Sequence, residues 1–217
     1  MTIRSKLYAA IAVTLAGLAL TAGVGIWGMD RLSDRFDHVQ RAADARALAL
    51  ELKFAVADFN GWQTAYGYDN GESRPIFLSS VAGFRGTLAR AKLELTRANE
   101  RSLLNEITAA FEEFMRLDRV AWAALQAGRT AQVRRIFLGP EIANFRRAAA
   151  GAERLAQVEE EHASSQERKF RDARKDALRS LIGASLVAAL LVAILLVTAL
   201  DLARTAERAL ARPPAPE

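Results

Sequence analysis

Cysteine is absent from the 217 residues, and there are only two histidines and five prolines. Without cysteine there can be no disulfide, thiolate metal site or covalently attached haem. His38 and His162 are the sole imidazoles, and no P-loop, GxGxxG or zinc-type spacing occurs. No convergent set of acid, base and nucleophile stands out. No enzymatic activity, cofactor or metal is therefore expected. Strand-like alternation of apolar and polar residues is also missing, so the chain is read as all-α.

Charge is missing from two long runs. Residues 7–28 (LYAAIAVTLAGLALTAGVGIWG) and 181–200 (LIGASLVAALLVAILLVTAL) contain no Asp, Glu, Lys or Arg. Each matches the roughly 20 residues that a helix needs to cross a hydrocarbon core about 30 Å thick. Arg4 and Lys6 before the first run also suit a secretory signal. The run is long for one, however, and no clean small-x-small cleavage site follows, so an uncleaved anchor is expected. The resulting division is a tail at 1–6, a first transmembrane helix at 7–28, an extracytoplasmic domain at 29–178, a second transmembrane helix at 179–200 and a short tail at 201–217. Arg4 and Lys6, with Arg204, Arg208 and Arg212, place both termini in the cytoplasm by the positive-inside rule. The basic stretch 167–179 (ERKFRDARKDALR) runs against that rule, but long loops translocate largely regardless of charge. The formal net charge of +5 and pI near 10 do not point to nucleic acid, since the cations alternate with acids and the densest cluster abuts a span. The lipid bilayer is the expected partner instead.

Between the spans, apolar residues recur at steps of three and four. Leu32, Phe36, Val39, Ala43, Leu50, Phe54, Ala57 and Gly61 suggest the core face of a first helix. Phe77, Phe84, Leu88, Ala91 and Leu95 give a second stripe. Leu104, Ile107, Phe111, Phe114, Ala121 and Leu125 give a third, and Phe145, Ala152, Leu155 and Val158 a fourth. Asp69-Asn70-Gly71 and Arg74-Pro75 mark the first turn. Asn99 is the predicted N-cap of the third helix and Gly128 its terminator. The stretch TAQVRRIFL before Gly139-Pro140 is either a short connecting helix or the kinked start of the fourth. The economical assembly is an antiparallel four-helix bundle flanked by two transmembrane helices. At about 1.5 Å per residue the first helix rises about 60 Å, with His38 about 12 Å and His162 about 25 Å above the membrane. The polar stretch EEEHASSQERKFRDARKD has little to bury within one chain, which implies a partner chain.

One segment departs from the alanine-rich pattern: AVADFNGWQTAYGYD, residues 55–69. Together with the layout of one span, four extracytoplasmic helices and a second span, it resembles the sensor half of methyl-accepting chemotaxis receptors, specifically their four-helix-bundle ligand-binding module. The resemblance covers about residues 1–200. It implies a dimer, either of this chain or mixed with a full-length chemoreceptor, in the inner membrane. It also implies a ligand-induced helix shift that is read by another protein. The family's HAMP linker and signalling coiled coil do not follow Leu200 in this chain, so kinase control and methylation are not carried over.

Candidate ligand-binding residues are Asp58, Trp62, Gln63, Tyr66 and Asp69 on or beside the first helix, Asp118 at a seam position of the third stripe, and Arg46. Aromatic walls with a few placed polar groups suit a small molecule, and the acids suit an amine or amide. Arg46 suits a carboxylate or a dimer contact. The rival reading is packing, with Trp62 and Tyr66 filling the core and Asp118 paired to an arginine such as Arg85. At the level of function the rivals are a scaffolding membrane protein with no small ligand, and a truncated receptor fragment.

Overall fold

The computed structural model describes residues 3–210. Among them all regular structure is helical: α1 (Ile3–Tyr68), α2 (Arg74–Glu94), α3 (Ala98–Gln126), α4 (Thr130–Ile136) and α5 (Ile142–Leu210), with a π-helical turn, Phe137–Glu141, before α5. The expected all-α class therefore holds. Arg212 and Pro213-Pro214 lie outside the described residues, as do the side chains of Arg4, Lys6 and Arg208.

Helix ends follow the backbone chemistry of their sequences. No proline interrupts α1, which stops where Asn70 and Gly71 take left-handed conformations at φ 54° and 102°. Asp69 accepts hydrogen bonds there from the Gly71 and Ser73 amides, both at 3.0 Å, and from the Ser73 hydroxyl. Pro75 occupies the first turn of α2, where its missing N–H costs nothing. The N-cap of α3 is Arg97 and not Asn99, which lies inside the first turn. Glu100 reaches back to accept a hydrogen bond from the Arg97 amide at 2.6 Å, the bond that the third helical residue makes in a capping box. Gly128, at φ 68°, closes α3 in a Schellman motif: its amide meets the Leu125 carbonyl and that of Arg129 meets Ala124, each at 2.9 Å. The two readings of TAQVRRIFL merge, since α4 is a short helix and Gly139, at φ −113° and ψ −106°, makes the kink ahead of Pro140.

The chain divides into two compact units, one spanning His38–Glu167 and the other taking α1 up to Asp37 and α5 from Arg168. In the first, α1 presents Ala42, Ala45, Ala49, Leu52, Val56, Phe59, Gln63 and Tyr66 inward, alternating steps of three and four. This corrects the predicted first stripe: Phe54 is 68% exposed, and Ala43, Ala57 and Gly61 are exposed too. On an alanine-rich helix the small residues sit where neighbouring backbones come closest, and Phe54 drew the stripe to the wrong face. The second and third stripes hold, as do Ala152 and Leu155 of the fourth. At the centre the Phe59 ring meets Phe84, Phe111 and Phe114 with centroids 5.1, 5.5 and 5.1 Å away. Removing one such ring typically costs about 3–5 kcal/mol. Gly151 brings α5 against α3, since a Cβ there would approach Ile107 Cγ1 to 2.8 Å.

The second unit carries two helices long and apolar enough to cross a membrane. Leu15, Leu18 and Ile26 on α1 and Leu186, Leu190 and Leu196 on α5 are exposed, an arrangement that suits lipid and not water. The helices meet through small residues: a Cβ on Gly17 would stand 3.8 Å from Ala188 Cβ, and one on Gly28 would stand 3.6 Å from Ala177 Cβ. Thr14 and Thr21 satisfy their hydroxyls on the carbonyls of Ala10 and Gly17, each at 3.0 Å. Arg31 lies over the Trp27 ring at 5.2 Å, an amphipathic pair of the kind found at a membrane surface.

Candidate functional site

Heptad spacing brings polar side chains into the seam where α1, α2 and α3 meet near the Asp69–Ser73 turn. Asp118, fully buried on α3, accepts two hydrogen bonds from the Arg74 guanidinium, each at 2.6 Å, one to each carboxylate oxygen. The Tyr66 hydroxyl donates to the same carboxylate. This fork-to-fork geometry is the strongest form of such a pair, and burial raises what is lost if either partner goes. Around the guanidinium stand the rings of Tyr66, Phe77 and Trp122, at 4.7, 4.9 and 4.9 Å. Burial, and then the charge and hydrogen bond of Asp118, push the Tyr66 phenol well above its ordinary range, so it stays a donor. Burial works against the Arg74 charge, but the hydrogen bonds and charge of Asp118 outweigh it.

Beside this closed group lies one whose buried polar atoms lack partners. Glu141, at the end of the π-helical turn, is 1% exposed, and neither carboxyl oxygen has a hydrogen-bond partner. Burial first, and the charge of Asp118 second, push its acid up to about 9, so it is protonated at neutral pH. Arg74 and Gln63 pull the other way. Gln63 is near enough to favour the charged form, yet no bond of ordinary geometry joins the two, and its buried Nε2 is also without a partner. Both side chains line a cavity of about 340 Å³. Phe114, Val133 and Phe137 give it apolar walls, and exposed Tyr68, Thr130 and Arg134 edge it. Gly67 makes room for one wall, since a Cβ there would strike the Phe137 ring. Volume and lining suit a small molecule.

Of the seven residues predicted from sequence, Gln63 lines the cavity, and Tyr66 and Asp118 form the closed group beside it. Trp62 is half-buried against the core and is not part of the cavity lining. Asp58 accepts from the Ser80 hydroxyl on an exposed face. Asp69 caps the turn, where the Ser73 hydroxyl and then the turn amides hold its carboxyl below the usual range. Arg46 pairs with Glu160. The partner of Asp118 is Arg74 and not Arg85, which lies over the Phe111 ring at 5.4 Å. Sequence reasoning passed over Arg74, Phe137 and Glu141. Glu141 stands four residues before Phe145, so extending the fourth stripe backwards reaches it.

A second polar cluster lies beyond the other end of α2. Arg97 donates to Glu100 at 2.5 Å and to Glu159 at 2.5 and 2.6 Å, and both carboxylates are buried. Burial, and then Glu100, push Glu159 up to about 7 against the pull of Arg97. His38 and His162 both line the adjoining cleft of about 200 Å³. Among the described residues no group of three His, Asp or Glu is placed to hold a metal. No protein-family model, curated protein or solved structure matches this chain.

Proposed function

We propose that this chain is a chemoreceptor-like sensor subunit of the inner membrane. In this reading residues 29–178 form an antiparallel four-helix bundle outside the cytoplasm, with spans at 7–28 and 179–200 and both termini inside. A small molecule enters the cavity at Glu141 and biases two packings of the bundle. The resulting helix shift is read by a partner, either a second copy of this chain or a full-length chemoreceptor. No catalysis is assigned. The observation that carries the reading is a cavity of about 340 Å³ holding a buried acid and a buried amide with unused hydrogen-bonding atoms, within a helical unit.

The test is thermal unfolding of the full-length protein in detergent with amino acids, amines, organic acids and polyamines. A ligand at 100 times its Kd stabilises by about 2.7 kcal/mol, which raises Tm by several degrees. No shift with any of them would favour a scaffold without a ligand. Reporter fusions near residue 100 test the topology, and a cytoplasmic signal there would remove the sensor reading.

A further inference from the structure

We propose that the cavity takes a protonated amine carried on an apolar body, with the ammonium pairing to the Glu141 carboxylate and the body lying against Phe114, Val133 and Phe137. The inference rests on the sensor reading and narrows its ligand. Glu141 is 1% exposed with both oxygens unpartnered, and it lines the cavity. The nearest guanidinium is taken, because Arg74 gives both its terminal nitrogens to Asp118 at 2.6 Å. With Glu141 ionised, the buried set would hold two carboxylates, Asp118 and Glu141, against one cation, Arg74. One positive charge is missing, and a ligand ammonium supplies it. The Gln63 amide, rotated about its last torsion, offers its oxygen to a second ammonium N–H. A carboxylate ligand would meet Glu141 and Asp118 with only Arg134 at the edge to compensate. A ligand without charge would leave Glu141 as it is.

The proton balance is specific. In the empty cavity Glu141 holds a proton at neutral pH, being pushed up to about 9. Binding then reads as carboxylic acid plus ammonium giving a carboxylate–ammonium pair, with one proton released to solvent. The groups facing Glu141 are Tyr66 from α1, Arg74 from α2 and Asp118 from α3, with Arg134 from α4 on the same cavity. Affinity for an amine therefore climbs about tenfold per pH unit below the folded-state value of Glu141 and levels off above it. A carboxylate, binding while Glu141 keeps its proton, would show no slope below that value and a fall above it, and an uncharged ligand almost none.

The experiment is calorimetry on the full-length protein in detergent with 2-phenylethylamine, 2-phenylethanol and phenylacetate, each in two buffers of different ionisation enthalpy. Expected is binding of the amine alone, with nearly one proton released at pH 7 and a roughly hundredfold gain in affinity from pH 6 to pH 8. The proton count is read on the unaltered protein and needs no variant. Glu141→Gln should abolish the proton release and the pH slope, and should weaken amine binding at pH 8 at least tenfold. Binding of phenylacetate or 2-phenylethanol in place of the amine overturns the inference and leaves the sensor reading standing. Amine binding without proton release also overturns it. No binding by any of the three, with no thermal shift across the wider panel, overturns both.

Discussion

At the start of α2 and again just past its end, an arginine meets buried carboxylates in two different ways. Arg74 closes on Asp118 alone, in a fork of two 2.6 Å bonds inside an aromatic cage, and Glu141 is left beside a cavity with no partner. Arg97 spreads over two acids, Glu100 and Glu159, and is itself 37% exposed at the side chain, so water shares in the balance. The same residue types thus yield a tight neutral pair next to an isolated acid at one end, and a shared, wetter triad at the other. An isolated buried acid is a stability cost that a ligand can relieve, whereas a shared triad has already made its compromise.

The sharpest way to break this contrast is Asp118→Ala. It strands the Arg74 charge and the Tyr66 hydroxyl, and should cost about 3–5 kcal/mol. Arg97→Ala should cost less, because its two carboxylates can share a proton once the cation is gone. Thermal unfolding of both variants at one pH decides it, and equal losses would erase the distinction between the ends.

Next in size is Glu141→Gln. Glu141 is raised from 4.5 to about 9, so the stability linked to its proton is complete below about pH 4.5 and is lost as pH rises towards 9. At pH 7 the unfolded chain has released that proton and the folded chain has kept it, a penalty of roughly 3 kcal/mol. The glutamine variant should therefore be more stable than the parent at pH 7, by more again at pH 9, and by little at pH 5. A melting series across pH reads this directly.

Glu159→Gln acts in a narrower window. Its carboxyl is raised only to about 7, so the parent's loss of stability from this group ends near neutrality. Between pH 7 and 9 the slope of Tm against pH should flatten in the Glu141 variant and persist in the Glu159 variant. Smallest of all is Arg46→Ala. Arg46 and Glu160 are 44% and 49% exposed at their side chains, and such a pair contributes under about 1 kcal/mol. A larger loss would mean that Arg46 has a role outside either cluster.

The helical class was legible because few prolines and no alternation leave little else, and because the two uncharged runs match a membrane's thickness. The turn at Asn70-Gly71 and the stop at Gly128 were legible too, since left-handed backbone selects those residues. The face of α1 was not. A stripe drawn through Leu50 and Phe54 follows residue size, whereas burial follows which side chains α2, α3 and α5 can cover, and that is a property of the assembled unit. Asp118 was recognised as an acid at a seam, but its partner lies 44 residues away on another helix. No periodicity identifies Arg74 over Arg85 at that range. Glu141 follows directly on Gly139-Pro140, a pair that breaks the helical phase, so periodicity carried forward assigns no face to the acid behind it.

The kink at Gly139 bears on how firm the cavity is. Pro140 can donate no backbone hydrogen bond, and α4 has only seven residues, well below the length at which a helix holds itself together in water. What keeps this wall in position is chiefly Val133, 6% exposed, and the Phe137 ring, set edge-on to Tyr66 at 5.9 Å. Local opening should start there, so amide protons from Thr130 to Ile142 should exchange ahead of those beside Phe59, and the wall is no stiffer than the grip of two side chains.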